Sequence, residues 1–473
     1  MNFILYDILF LVLFTLAVVL FLYTRRKNLQ RQGLLYLYKT KVGIKFIDWS
    51  AKKFEKILKP LQYVVIASGY ILMISMVWFL AKFSWFYLTS PTAARELKIP
   101  VLLPLLPYLP EIFKLDFLPP FYFTYWIIII AIVAIPHEFA HGIFARLNKF
   151  KIHSTGFGFL GPFLAAFVEP DEKQMEKAKK FPQLAVLAAG TFANVIFTLI
   201  FVLLIGAFVS TAFTPAGVYF TYPGAIVNNS DIGSIGGHSF AEIKNNPLLI
   251  ENNSVFEFTI GNETYLTTSS VLEGSIKNNL SYMGVSPNTP AFRAQIVGAI
   301  SEINGEKINS YQSMKDVLGK LHPGDKVTVK TIYKENLRAD PEVREYNVTL
   351  ADRDGKAFLG IGVLSPPKAG GIIGVIYNIV AHIKDPTVYY DSNIGEFGNF
   401  IYDLLWWTAL ISISVALVNM LPMGIFDGGR FFYLTVWGIT RSEKIGKKAY
   451  KISTAIILTV VALLMIKWVV AFI

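Results

Sequence analysis

His137-Glu138-Phe139-Ala140-His141 sets two imidazoles four residues apart with a carboxylate between them. On a helix, positions i and i+4 lie on one face, so both rings project together. Zn²⁺ accepts such nitrogens at about 2.0–2.1 Å. Glu138 stands beside that face without being needed as a ligand, so its expected role is catalytic: to take a proton from water and pass it to a leaving amine. A catalytic zinc needs a third protein ligand and one open position. Asp427, in the apolar run NMLPMGIFDGGRFF, is the candidate. His141 lies 10 residues before Lys151, and Asp427 lies 14 before Arg441. At about 1.5 Å per helical residue these are comparable depths. Read alone, Asp-Gly-Gly is equally a bend. The chain has 6 histidines and no cysteine, which excludes disulfides, thiolate metal sites and cysteine nucleophiles.

The elements that must carry these residues are membrane spans. The chain has 473 residues, 53% of them hydrophobic, and a mean hydropathy of +0.48, too apolar for a soluble protein of this length. Residues 3–23 form a near-unbroken apolar run followed by Arg25, Arg26 and Lys27. A signal peptide has its charges before the apolar core, so this order predicts a permanent span with its N-terminus outside. Residues 24–61 carry 11 Lys or Arg against Asp48 and Glu55, which marks a cytoplasmic loop. Within it, KFIDWSAKKFEKILKPL is amphipathic and suits the membrane surface. Further spans are predicted at 62–88, 121–148 (with HEFAH), 182–210, 400–437 (broken near Pro422 and Gly424) and 453–472. Residues 89–120 read as an external, partly embedded loop, and 371–385 as a weakly amphipathic surface segment. The net charge of +11 is concentrated beside spans, in loops that all face the cytoplasm if the spans alternate. That placement argues against nucleic-acid binding.

The pairing of HEFAH with NMLPMGIFDGG resembles the site-2 protease family of intramembrane zinc metalloproteases. The resemblance implies zinc ligands at His137, His141 and Asp427, one catalytic Zn²⁺, and a catalytic base at Glu138. Asn419 and Pro422 match the family's Asn-x-x-Pro element; Phe426 stands where the family usually has Leu. Gly190-Thr-Phe-Ala-Asn194 is similar to its Gly-x-x-x-Asn element. By that resemblance Asn194 and Asn419 hold the substrate backbone; a helix–helix hydrogen bond is the other reading for each. GFGFLG at 156–161 resembles the family's re-entrant strand, which implies pairing with an unwound substrate. The motifs cover roughly 121–210 and 400–437.

Residues 211–370 are polar, near charge-balanced and rich in Asn, Ser and Gly. Alternation such as KVTVKTIY predicts strands. The sequons at Asn228, Asn252, Asn262, Asn279 and Asn347 all fall here, which suits an extracytoplasmic location. Residues 281–370 resemble a PDZ domain, through the Ser-Pro opening, Ile303-Asn304-Gly305 and Pro323-Gly324-Asp325. PDZ folds bind extended peptides by strand addition. DIGSIGGHSFAEI at 231–243 echoes SEINGEKINSYQSM, which raises a degenerate second PDZ over 211–280.

The expected fold is a polytopic α-helical membrane protein of about six transmembrane helices, with a β-rich PDZ-like extracytoplasmic domain inserted between spans four and five. Its divisions are 1–120, 121–210, 211–280, 281–370 and 371–473. The expected function is hydrolysis of a peptide bond within or near a transmembrane helix of a single-pass substrate, in a cell membrane, with the site toward the cytoplasmic side. Three other readings stay open: a zinc peptidase with a downstream Glu ligand, a catalytically inactive membrane-bound PDZ scaffold or sensor, and a transporter whose His and Asp bind moving ions.

Overall fold

The computed structural model describes the chain except residues 1–2, 34, 90–105, 114, 116–117, 161–162, 236, 247–248, 250–254, 262, 278–279, 336–338, 364–380, 382 and 471–473. Most of the expected 89–120 loop and 371–385 segment, Gly161, and the sequons at Asn252, Asn262 and Asn279 therefore lie outside the described residues. The chain divides into two compact units, Met1–Ile205 with Phe400–Ile473, and Gly206–Asn399.

Among the described residues, six helices are long and apolar enough to cross a membrane. They are α1 (Phe3–Thr24), α3 (Glu55–Thr89), α4 (Phe123–Leu147), α5 (Lys180–Ala212), α6 (Glu396–Asn419) and α8 (Glu443–Val470). With the family evidence below, they make this a multi-pass membrane protein. The break expected near Pro422 is present. α6 stops at Asn419, residues 420–426 turn, and a separate helix α7 (Asp427–Thr440) begins. The core of this unit packs Val65 and Ile66 of α3, Phe144 and Ala145 of α4, Ala185 and Ala188 of α5, Met420, and Phe431 of α7. Alanines on α5 let the helices approach closely, as membrane interfaces favour.

α4, which carries HEFAH, is held at both ends. Its N-cap Tyr122 makes no side-chain cap. Asp7 of α1, only 1% exposed, caps it from another helix. The Asp7 carboxylate accepts from the backbone N–H of Phe123 at 2.7 Å and of Thr124 at 2.9 Å, and from the Tyr108 hydroxyl at 2.5 Å. A buried carboxylate needs such donors, and a helix start supplies them. Toward the other end, the amphipathic helix α2 (Ile44–Lys53) lies against α4. Ile47 is fully buried there, and Asp48 pairs with Arg146 at 2.6 Å. Ile44 and Ile47 of this helix pack against α4 and the sheet described next, while Phe46 and Trp49 stay exposed.

That sheet has four antiparallel strands in the order β1 (Leu29–Gln32), β2 (Leu35–Thr40), β3 (Ile152–Leu160), β4 (Phe163–Pro170). The GFGFL stretch lies in β3, which is paired on both sides: Leu37 opposes Gly158 on one edge, and Ala165 opposes it on the other. The expectation that this strand pairs with substrate is corrected on that ground, since its backbone groups are already used. The free edge beside α4 belongs to β4.

The second unit is β-rich, as its alternation predicted. One sheet runs in the order Glu342–Thr349, Lys326–Tyr333, Ala299–Ile303, Phe213–Val218, Val388–Ser392. Its core joins Val218 to Ile300, Ile303, Val327, Val329 and Val348. The other sheet runs Ala225–Asn228, Tyr282–Pro287, Glu263–Thr268, Val255–Ile260, over a separate core of Ile235, Phe258, Leu272 and Met283. The expected boundary at 281 thus falls just before a strand, Tyr282–Pro287, that belongs to the sheet of 225–268, and the other sheet borrows strands from 213–218 and 388–392. The repeat noted in sequence has a local counterpart. Ser239 and Ser310 each cap a short helix through a capping box, with Glu242 and Ser313 respectively.

Candidate active site

His137 and His141 are buried on one face of α4, at 5% and 8% exposure. Their Nε2 atoms lie 3.1 Å apart. Asp427 Oδ2 stands 3.7 Å from His137 Nε2 and 3.3 Å from His141 Nε2. One donor atom from each residue falls within 4.8 Å of the others. Two imidazole nitrogens and a carboxylate oxygen converging on one point form the donor set that zinc takes in catalytic sites.

The surroundings keep that point clear. Gly190 on α5 faces both rings: a Cβ there would sit 2.6 Å from His137 Nε2 and overlap His141 Nε2. Only glycine leaves room for the imidazoles. Asp427 owes its place to a different device. It is the first residue of α7, following the 420–426 turn. A Cβ on Gly428 would collide with the Met420 carbonyl, and one on Gly429 with the Met423 carbonyl. The Gly-Gly pair lets α7 start directly against the turn that precedes it, which swings the Asp427 carboxylate back to α4.

Each histidine is fixed from behind. His141 Nδ1 lies 2.7 Å from the Val186 carbonyl of α5. A carbonyl only accepts, so Nδ1 carries the proton and Nε2 is the ring nitrogen left to face the cluster. His137 Nδ1 lies 3.0 Å from the side-chain amide of Asn194. Asn194 is fully buried, and its backbone carbonyl accepts from Ser412 Oγ at 2.9 Å. Asn419, near the end of α6, brings its Nδ2 to 3.4 Å from His137 Nε2. Asn419 therefore borders the inner, donor side of the rings, whereas Asn194 sits behind one of them. Glu138 turns toward β4, where its Oε2 accepts from the Val168 N–H at 3.0 Å.

The structure thus brings His137, His141 and Asp427 together and sets Asn194 and Asn419 against His137, while the Glu138 carboxylate bonds β4. Sequence reasoning missed the Val186 carbonyl, the Val168 amide and the space-making role of Gly190. The carbonyl and the amide carry no side-chain signature. Gly190 did have one, since its four-residue spacing from Asn194 sets both on one face of α5.

Residues 125–464 match the family model described as Peptidase family M50. The zinc metalloprotease RasP of Shouchella clausii (strain KSM-K16) is 25% identical over 178 aligned residues, covering 32% of this chain and 41% of that protein. This match spans less than half the length of that relative. Because the family match takes in well over half of the chain and contains His137, Glu138, His141, Asn194, Asn419 and Asp427, this chain belongs to Peptidase family M50, the site-2 protease family that its motifs resemble.

Proposed function

We propose that this protein is an intramembrane zinc metalloprotease that hydrolyses a peptide bond within or near a transmembrane helix of a membrane-protein substrate. The observation that carries the reading is the convergence of His137, His141 and Asp427, with Glu138 on the histidines' own helix, which is long and apolar enough to cross a bilayer. His137, His141 and Asp427 would hold one zinc ion. When bound, zinc supplies Lewis acidity to a scissile carbonyl. Glu138 receives the proton from the attacking water and delivers it to the leaving nitrogen. Asn419, on the inner side of the rings, is placed to steady the carbonyl of the bond under attack.

Water and a polarised carbonyl are both foreign to hydrocarbon, so the site must be enclosed by protein. A helical substrate also hides its carbonyls in i to i−4 bonds, and must unwind before hydrolysis. The edge of β4 offers the unwound segment a partner. Val168 N–H points away from β3, toward Glu138. By the two-residue alternation of an antiparallel ladder, the backbone groups of Ala166 and Leu164 face the same way. An extended substrate adding at that edge would run directly to Glu138.

The basic loops beside the spans support a reading with the site toward the cytoplasm and the second unit outside. In this reading the PDZ-like part of the second unit admits substrates by the size or end of their outer domains. Phe213 pairs with Ser392, so residues 213–392 can be replaced by a short turn. That replacement should extend cleavage to substrates with intact outer domains; unchanged selectivity would remove the filter.

The direct test uses protein purified in detergent and a transmembrane-helix substrate bearing helix-weakening residues. Wild type should cleave it within the apolar segment, and Glu138→Gln should not. Equal cleavage by both would overturn the protease reading, as would no cleavage of any such substrate by zinc-loaded wild type.

A further inference from the structure

Asn194 sits behind His137, fully buried, with its amide 3.0 Å from Nδ1. That contact lies on the side of the ring away from the metal-facing Nε2. The placement disfavours the substrate contact implied by resemblance, because a buried amide turned to a ring offers nothing to a passing backbone. It poses a hydrogen-bonding question instead. If Nδ2 donates to Nδ1, the ring's proton must sit on Nε2, pointing into the donor cluster. Asn194 Oδ1 is then left buried without a partner. A half-turn of the amide exchanges its two ends, so that Nδ2 takes the unpartnered position, Oδ1 accepts from Nδ1–H, and the Nε2 lone pair is free to bind metal. His141 already has this pattern, with Nδ1–H donated to Val186.

We infer that Asn194 is a positioning residue for the metal centre: its Oδ1 accepts the His137 Nδ1 proton, fixing the tautomer and ring angle that present Nε2 to zinc. This rests on the zinc-site reading above. Metal-bound histidines characteristically donate their second N–H to a carboxylate, a carbonyl or a water. Here one ring uses a main-chain carbonyl and the other a side-chain one. The Ser412 hydroxyl, by bonding the Asn194 main-chain carbonyl from α6, ties the turn of α5 that carries this amide to the helix that leads to Asn419.

The test is metal affinity, measured by competition with a chelator, on full-length protein in detergent using Zn²⁺ and then Co²⁺ as a spectroscopic probe. Asn194→Leu keeps the volume and removes the acceptor; Asn194→Asp keeps an acceptor. The expected result is a Zn²⁺ affinity about 10–100-fold weaker for Asn194→Leu, with altered Co²⁺ absorption bands and substrate KM unchanged. Asn194→Asp should bind within a few-fold of wild type. The inference is overturned if Asn194→Leu binds zinc like wild type while KM rises, which would restore the substrate contact. It is also overturned if Asn194→Asp, with a wild-type unfolding temperature without metal, binds as poorly as Asn194→Leu. Folded wild type that binds no zinc would instead overturn the underlying zinc site, and the inference with it.

Discussion

The two halves of the cluster are built by unlike means. His137 and His141 stand on consecutive turns of one unbroken helix, so their alignment follows from a 3.6-residue period. Asp427 reaches the same point at the start of a helix that follows a break, held there by two glycines pressed on the preceding turn. The first half needs only that α4 be helical. The second depends on a particular backbone crossing, which any added side-chain atom disturbs. Crowding the histidine half should therefore cost function with the fold intact, and crowding the glycine crossing of the aspartate half should cost both together.

Gly190→Ala tests the histidine half most severely. The atoms that an alanine Cβ would meet are imidazole ring atoms at the ends of side chains, so the rings will turn aside while α5 stays packed. Zinc binding and cleavage should both vanish, with an unfolding temperature in the metal-free state close to wild type. Unchanged zinc content would show that the rings do not need this space. Glu138→Gln should spare metal binding but lower kcat by about 10²–10⁴-fold, the usual worth of a general acid–base. Zinc loss in that variant would make Glu138 a ligand.

Gly428→Ala is the counterpart in the aspartate half. Its clash is with main-chain atoms of Met420 and Leu421, which cannot swing away, so the turn itself must move. Overpacking of this kind costs about 1–3 kcal/mol. A lower unfolding temperature should accompany weaker zinc binding; if zinc weakens with stability untouched, the two halves are less different than drawn. The smallest effect belongs to the substrate edge. Ala166→Pro removes one N–H that does not serve the β3–β4 ladder, worth about 1 kcal/mol, and should lower kcat/KM by about tenfold or less without changing zinc. Wild-type turnover would move the substrate off β4.

The same contrast explains what the sequence made legible. Six spans, the HExxH pair and the break before Asp427 are local features: apolar length, a helical period and a Pro-Gly turn. The sheet is not local. β1 and β2 are short and flanked by basic residues, and β2 gains its far edge from β3, more than a hundred residues away. GFGFL therefore read as a lone strand, when it is an interior one. The amphipathic pattern of α2 was plain, but nothing in it said that α4 would cover Ile47. In the second unit, strands at 213–218 and 388–392 complete a sheet whose other main strands lie within 299–349, so a boundary drawn from a contiguous motif cut across the packing. Asn194 was found through its spacing from Gly190, while its direction, toward His137 Nδ1, came only from the geometry.

The measurement that tests the central claim most directly is the zinc content of purified wild type, His141→Ala and Asp427→Ala, each read beside its metal-free unfolding temperature. If two unlike elements build one metal centre, wild type holds one zinc per chain, and both variants lose it to a similar degree while remaining folded. Asp427→Ala that retains zinc as wild type does would reduce Asp-Gly-Gly to a turn and contradict the account.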